Sequence, residues 1–521
     1  MPPSNAKQII VIGAGPGGLA ASILLAAAGL DVTILERASR VGGRTAAIEA
    51  EGFRFDTGPT FFLYPKVLRE ILAAGGFCLD REIEMRKLDP QYRLVFGSGG
   101  ELSATPDLKR METAILALTR NPADADGFRN FYKDNKRKLE SFSPILSTAF
   151  NGWTDLISLP LLRSLSQLHP WRSLDEELQQ YFQDPRLRLA FSFQSKYLGM
   201  SPFRCPSLFS ILSFLEYEHG VFHPIGGCSA VMEMLARVAI SIGVDIRLSE
   251  EVTGIDVARG RVSAVHTAEH RYVADKVVIN ADFAHAMRSL LPTSSRRRWT
   301  DARIERKKFS CSTFMLYLGI DGAYDIPHHN IYTANDYQKN LRDIEQDHVL
   351  SDDPSFYVQN ASVTDATLAP KGKSTLYVLA PVTHQHANVN WKTAKSAFRE
   401  RVLDQLPKIG INDVRKRIRF EQITTPDDWA RNYAIHKGAT FSLAHSLDQM
   451  LHLRPPNRFD DVRGVYLVGG GTHPGSGLPV IFESARISSR LLLQDLGVKL
   501  PKAVRHNDND QAFSTSYTGV A

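Results

Sequence analysis

Apolar positions along this chain come in two kinds of pattern, short unbroken runs near its ends and helical spacing through its middle. Residues 8–12 form a β-branched run of the kind that fills a fully buried parallel strand, and residues 17–28 continue as a helix of small apolar side chains. Residues 31–35 supply the next strand. The result is a βαβ unit, the opening of a doubly wound, Rossmann-like sheet. From about 106 to 218 the spacing turns helical, with Trp153, Leu156, Ile157, Leu159, Leu161 and Leu162 grouped together and no further Gly-rich phosphate loop. This stretch reads as an insertion. Residues 230–242 then predict a helix, 245–248 a strand, 252–257 and 261–267 a strand pair joined at Ala258-Arg259-Gly260, and 276–279 another strand. A mixed segment over 288–454 returns to the insertion, after which 464–468 reads as a strand, followed by a Gly-rich turn and a helix over 479–496. The division expected is one domain from 1–105, 219–287 and 455–500, a second from 106–218 and 288–454, and a polar, mobile tail over 501–521.

Bulk properties narrow the classes. At 521 residues the chain exceeds what one core organises, so a second domain or a large insertion is required. No apolar stretch reaches 18 residues, so no transmembrane helix is expected. The net charge of +6 arises from 62 basic residues interspersed with 56 acidic ones, which disfavours nucleic acid as a partner. The sharpest basic cluster, Arg296 to Arg298 before Trp299, reads as an exposed loop or helix end rather than a lipid contact. Four cysteines without a CxxC pair argue against a disulfide framework, and the first residues lack a charged stretch leading into an apolar core. A protein of the cytoplasm follows.

Chemistry enters with Gly13-Ala-Gly15-Pro-Gly-Gly18. The string follows a strand, opens a helix, and is followed by Glu36 at the end of the second strand, the spacing of a dinucleotide fingerprint. Gly13 permits the tight turn, Gly15 the approach of backbone to a pyrophosphate, and Gly18 close packing of helix on strand. Pro16 and Gly17 open the helix whose unpaired N–H groups face the phosphates, and Glu36 would accept from ribose hydroxyls. A second signal follows at once in Arg37-Ala-Ser-Arg-Val-Gly42-Gly43-Arg44 and in Phe55-Asp56-Thr57-Gly58-Pro59-Thr60. A simple nicotinamide site has no need of this second Gly-Gly-Arg. A third lies in Gly464-Val-Tyr-Leu-Val-Gly469-Gly-Gly471-Thr-His473-Pro-Gly475-Ser-Gly477-Leu-Pro479.

The second segment resembles the flavin-dependent amine oxidase superfamily. Gly-Thr-His-Pro-Gly, taken with Phe191-Ser-Phe, Ser201-Pro-Phe, His223-Pro before Gly226-Gly227, Asn280-Ala-Asp282 and Gly438 to His445, narrows the resemblance to the bacterial-type phytoene desaturase family of carotenoid biosynthesis. The match runs in order over nearly the whole chain to about Leu496. It implies an α/β fold, a Rossmann-like FAD-binding domain with an inserted α+β domain for substrate and membrane association. It also implies FAD as cofactor, with Arg44 offsetting pyrophosphate charge and the Gly58-Pro59-Thr60 turn near the flavin. Arg37, Gly42, Gly43, Val252, Asp282, Gly470, Gly471, Leu478, Pro479 and Val480 complete the cofactor site so implied. Val480-Ile-Phe482-Glu483 replaces the smaller residues of many lycopene-forming members, and His223 stands where an aromatic is common, which leaves the substrate's chain length open.

The activity implied is FAD-dependent desaturation of a long isoprenoid polyene, phytoene first and a C30 dehydrosqualene-type chain second, with carotenoid isomerase, saturase and oxygenase activities as further alternatives. A polyene offers no handle but shape, so an apolar tunnel must reach the flavin. Residues 153–168 are candidates for its wall or for a peripheral membrane contact, though an ordinary buried helix is the plainer reading. His473, His445 and Glu483 are candidate catalytic groups, each with a structural reading beside it, and no obligatory base is evident. The pairs His328-His329 and His384-Gln-His386 lack acidic or cysteine partners at ligand spacing, so no metal is expected. Oxygen or a membrane quinone would reoxidise the flavin. An amine oxidase and a flavin-free prenyl-lipid chaperone remain competing readings.

Overall fold

A computed structural model describes residues 7–150 and 168–499. The tryptophan and leucine group at 153–162 and the tail from 501 lie outside the described residues.

Five parallel strands make the first sheet, in the order Asp245–Arg247, Asp31–Leu35, Gln8–Ile12, Lys276–Ile279, Val465–Leu467. Gln8–Ile12 is central, paired in parallel on both sides, so a β-branched run with no polar alternation suits it. The helix Pro16–Ala27 is buried along Gly17 to Leu25, because it is covered by the helices Cys228–Ser241 and Leu478–Leu496 as well as by the sheet. Its lack of a polar face is the consequence. On the opposite face lie an antiparallel trio, Val252–Ala258, Arg261–Thr267 and Arg271–Val273, and the helix Phe283–Leu290. The predicted elements of this half match within two residues at each end.

A second sheet has seven strands, ordered Ile418–Thr424, Ser312–Asp321, Lys373–Val382, Phe356–Gln359, His329–Thr333, Tyr92–Phe96, Glu101–Ala104. Both its faces are covered. Phe314, Leu316, Leu318 and Ile320 pack towards Trp391 and Phe398, while the alternate residues Met315 and Tyr317 pack towards Phe53, Phe55 and Trp429. One boundary differs from the sequence reading. Tyr92–Phe96 and Glu101–Ala104 were expected in the cofactor half, yet Tyr92–Phe96 pairs in parallel with His329–Thr333 and extends the second sheet. Parallel pairing between residues so distant leaves no local turn signal to read.

The basic cluster is also placed differently. Arg296 is buried, donating to the Trp299 carbonyl at 3.0 Å and to Asp301 at 2.7 Å, and Trp299 packs edge-on against Phe283. The expected exposed loop is a structural corner. Among the described residues no helix is long and apolar enough to cross a membrane.

The tightest contact in the first sheet is at Gly18, where a Cβ would stand 2.1 Å from the Gly13 carbonyl oxygen and 2.9 Å from the Asn280 amide. Neither neighbour is a flexible side-chain end able to retreat far. Gly18→Ala is expected to cost about 1–3 kcal/mol through overpacking and to lower bound FAD, measured by denaturant unfolding and by the flavin-to-protein absorbance ratio.

Candidate active site

A cavity of about 830 Å³ runs between the two sheets. At one end it is walled by the turn after Gln8–Ile12. Gly13 has φ +97° and receives support from its N–H donating to the Leu35 carbonyl at 2.8 Å. Asn280, at the end of Lys276–Ile279, donates through its side chain to the Gly13 carbonyl at 3.1 Å and fills the space beside Gly15, Gly17 and Gly18. Backbone therefore forms the cavity surface here, and the helix Pro16–Ala27 starts with Gly15 at its N-cap and no side chain satisfying its first N–H groups. Glu36 is buried in the adjoining wall, accepting from the Ala14 N–H at 2.7 Å and the Ala38 N–H at 2.9 Å. Each oxygen keeps acceptor capacity towards the cavity.

Arg44 supplies the opposing charge. Its guanidinium donates to the Thr440 carbonyl at 2.6 Å, and no carboxylate lies within ion-pair distance among the described residues. Burial holds its pKa below the usual arginine range, and Asp282 pulls the other way. A half-buried cation bonded to a carbonyl beside helix N–H groups that no side chain satisfies is a site for an anion. Asp282 is fixed by accepting from the His285 N–H at 3.1 Å and from the Ser442 hydroxyl at 3.3 Å. The donor set therefore fits a dinucleotide: a glycine surface and a helix terminus for pyrophosphate, a cation beside them, and a carboxylate at the end of the second strand for ribose.

The Asp56 to Thr60 turn joins this cradle to the second sheet. Asp56 accepts from the N–H groups of Cys228 and Ser229, both at 2.8 Å, at the start of Cys228–Ser241; burial raises its pKa and these bonds oppose the rise only in part. Three tyrosines of the second sheet hold the rest. Tyr317 donates to the Thr57 carbonyl at 2.5 Å, Tyr377 donates to the Gly58 carbonyl at 2.6 Å, and the hydroxyls of Tyr357 and Thr60 are 2.8 Å apart. The far end of the cavity is apolar and aromatic, with Phe61, Phe193, Leu198, Leu212 and Leu215 in its lining.

Of the residues expected at the cofactor, Gly13, Gly15, Pro16, Glu36, Arg37, Gly43, Arg44, Gly58, Pro59, Thr60, Val252, Asp282, Gly470, Leu478, Pro479 and Val480 line the cavity. Gly17, Gly18, Gly42 and Gly471 stand just behind, where they let other backbone approach; a Cβ at Gly42 would meet Ala46 at 2.9 Å. Asn280, Thr440 and Tyr357 also line it and were not among the residues expected at the cofactor. Asn280 had a signal, the Asn-Ala-Asp string directly after a strand; Tyr357 lies in a segment without one.

None of the three candidate catalytic groups lines the cavity. His445 accepts at Nε2 from the Ser476 N–H at 3.0 Å, so its proton sits on Nδ1, and burial together with Arg454 holds its pKa well below the usual range. It braces the Gly475 to Ser476 backbone. His473 packs edge-on against Phe150, its pKa pushed down to about 3 by burial first and Arg454 second. Glu483 pairs with Arg486 at 3.0 Å on the helix Leu478–Leu496. Arg454 is itself buried among carbonyls, donating to Leu443, Ala444, Gly470 and Thr472, and burial brings its pKa down to about 9. His328 and His329 meet His223 and Asp365: His223 and Asp365 are 3.1 Å apart, and His329 shares a 2.7 Å hydrogen bond with Tyr357. Among the described residues no group of three or more His, Cys, Asp or Glu is arranged to hold a metal ion.

Residues 16–493 match the family described as flavin containing amine oxidoreductase. The chain belongs to that family. Over 508 residues it is 42% identical to the 4,4'-diapophytoene desaturase (4,4'-diapolycopene-forming) of Methylomonas sp, covering 97% of this chain and 98% of that protein. It is 38% identical to the all-trans-zeta-carotene desaturase of Myxococcus xanthus (95% of this chain, 94% of that one) and 34% identical to the lycopene-forming phytoene desaturase of Pseudescherichia vulneris (94% and 100%). Among solved structures, putrescine oxidase bound to putrescine superposes with a TM-score of 0.63 at 15% identity, covering 95% of this chain and 100% of that one, a likeness of fold. This flavoprotein is thus an FAD-dependent oxidoreductase grouped with the carotenoid desaturases, as the motifs implied.

Because Arg44 faces the cradle without a carboxylate, Arg44→Gln is expected to spare the fold and weaken FAD binding about tenfold or more, the scale of one lost charge-assisted hydrogen bond. Titration of FAD into apoprotein, followed by quenching of free flavin fluorescence, measures it. An unchanged Kd would remove Arg44 from the pyrophosphate site.

Proposed function

We propose that this flavoprotein desaturates a long linear isoprenoid polyene, and that a C30 chain of the diapophytoene type is its substrate. The observation that carries the class of substrate is the continuity of the glycine cradle with an apolar, aromatic end of one cavity. The carboxylates in the lining are Glu36, Glu49, Glu251 and Asp282, all from the cofactor segments, so the other end offers no anion to an ammonium group. That disfavours an amine as substrate. The greater identity to the Methylomonas 4,4'-diapophytoene desaturase (42%) than to the Pseudescherichia phytoene desaturase (34%) favours the C30 chain over phytoene.

In this reading residues 7–91, 219–287 and 455–499 hold FAD, and the second sheet with its helices shapes the substrate's channel. The flavin, when bound, accepts a hydride from an allylic carbon. The chain's own residues position the polyene and keep water out. Phe61 is central to that role, its ring stacked on His329 at 4.0 Å and tilted against Tyr197 at 5.4 Å, so that one aromatic wall meets the Thr60 turn. Thr60 and Tyr357 fix the height of this wall above the cradle. Of the catalytic candidates, His445 acts as a neutral brace of the Gly475–Ser476 backbone, His473 as a packing group against Phe150, and Glu483 as an ion-pair partner. A polyene insoluble in water is best delivered from a bilayer, so we assign the protein a peripheral membrane contact and either oxygen or a membrane quinone as final acceptor.

Expression in one host that accumulates diapophytoene and in another that accumulates phytoene tests the proposal through the pigment spectrum. New conjugated pigment is expected in the first host and less in the second. Anaerobic bleaching of the purified flavoprotein by diapophytoene, and none by putrescine, is the matching result in vitro. Bleaching by amines alone would overturn the reading.

A further inference from the structure

Glu216 is an interior carboxylate held by side-chain donors alone, two of them phenols. Glu216, on the helix Ser210–His219, is fully buried, and no Lys, Arg or His lies within ion-pair distance among the described residues. Tyr92 donates to its Oε2 at 3.0 Å, Gln194 donates to the same oxygen at 2.8 Å, and Tyr197 donates to Oε1 at 3.0 Å. All three neighbours donate to the carboxylate here, and the two phenols are able to accept as well. Isolating an unpaired carboxylate from water is costly, a penalty that glutamine at the same place would avoid. Of the three donors only Tyr197 lines the cavity, between Phe61 and Leu198, where its ring meets Phe61 at 5.4 Å.

We propose that Tyr197 takes up the proton that leaves the polyene and passes its own hydroxyl proton to Glu216. This rests on the desaturase reading. When an allylic C–H loses its hydride to FAD, the carbon left behind is an allylic cation, and the adjacent C–H becomes acidic. That C–H bond breaks, its electron pair becomes the new π bond, and the proton forms an O–H bond on Tyr197. The original Tyr197 proton moves to Oε1. Tyrosine ends as it began, a neutral phenol, and Glu216 ends as a carboxylic acid. The same carboxylate, in a medium of low dielectric, stabilises the cation before the proton moves. A hydroxyl rotates freely about its C–O bond, so Tyr197 accepts from the protonated acid as readily as it donates to the carboxylate.

Burial pushes the Glu216 pKa up to about 7, against the three hydrogen bonds that lower it. The titratable groups facing it are phenols, Tyr92 from the second sheet, Tyr197, and Tyr217 on its own helix through Tyr92 at 3.3 Å; Tyr357 acts on Tyr197 from across the cavity. Burial first, and Glu216 second, hold the pKa of Tyr92 and Tyr197 well above the phenol range. The base is the ionised form, so turnover rises with pH through about 7 and is lost below it.

Glu216→Gln and Tyr197→Phe, both close in shape to the natural residues, test the pair in the holoprotein. Anaerobic flavin reduction by diapophytoene is expected to slow by about 10²–10⁴-fold in each, with the polyene concentration for half-maximal rate unchanged and the acid limb of the pH profile gone. Glu216→Asp is expected to restore part of the rate. Infrared difference spectra taken without substrate are expected to show a carboxyl band that titrates near pH 7 and is missing in Glu216→Gln. Wild-type rates in both folded variants, or a band titrating in the ordinary carboxylate range, would sink the proposal. A band near pH 7 in a wild type whose flavin no polyene bleaches would instead defeat the desaturase reading, and the proton role with it.

Discussion

The approach of main chain to main chain at the first strand-to-helix turn sets the geometry of everything around it. Gly18 leaves the Gly13 carbonyl no room for a methyl group, and Asn280 occupies the space that side chains at Gly15 and Gly17 would fill. The strand Lys276–Ile279 is thereby pinned beside Gln8–Ile12, in a parallel register that starts at Ile9 and Lys276. From that pairing follows the position of Asp282, two residues beyond Asn280, and its pull on Arg44. Backbone surface and helix N–H groups then face the cavity without intervening side chains, the condition for holding a pyrophosphate.

A second constraint transmits this placement to the substrate side. The turn from Asp56 to Thr60 is anchored below by the start of Cys228–Ser241 and above by Tyr317, Tyr357 and Tyr377. Those tyrosines belong to neighbouring strands of the second sheet, so the distance between sheet and cradle is fixed by two hydroxyl-to-carbonyl bonds and one hydroxyl-to-hydroxyl bond rather than by apolar contact alone. Such bonds are directional, whereas burial of apolar surface is not. A channel for a flexible, featureless polyene needs that kind of fixed reference, because the polyene itself supplies none.

Three charged groups around the cavity are met by neutral dipoles. Arg454 is surrounded by four carbonyls, Arg44 donates to one, and Glu216 accepts from two phenols and an amide. The first ties the 443–444 and 470–472 backbones together. The second faces the place where a cofactor's negative charge fits. The third stands behind the aromatic wall, with no cation within ion-pair distance among the described residues. Three similar solutions to desolvation thus serve three different ends, decided by what lies on the open side of each group.

Local pattern by itself determined the first sheet and its dinucleotide cradle: β-branched runs at 8–12 and 276–279, a helix of small residues, and glycines at fixed spacing from Glu36 are each readable from neighbours in sequence, whereas FAD followed from the family resemblance. The motif at 464–479 was legible for the same reason. Tertiary structure alone decided that Tyr92–Phe96 joins His329–Thr333, because a parallel pair has no turn to announce it. It also decided that His445 and His473 stand behind the cavity wall, and that Glu216, one acidic residue among 56, is fully buried with no cation within ion-pair distance among the described residues. A residue type states which chemistry a side chain has; the field and the solvent around it, which fix whether that chemistry is used, come from segments far away along the chain.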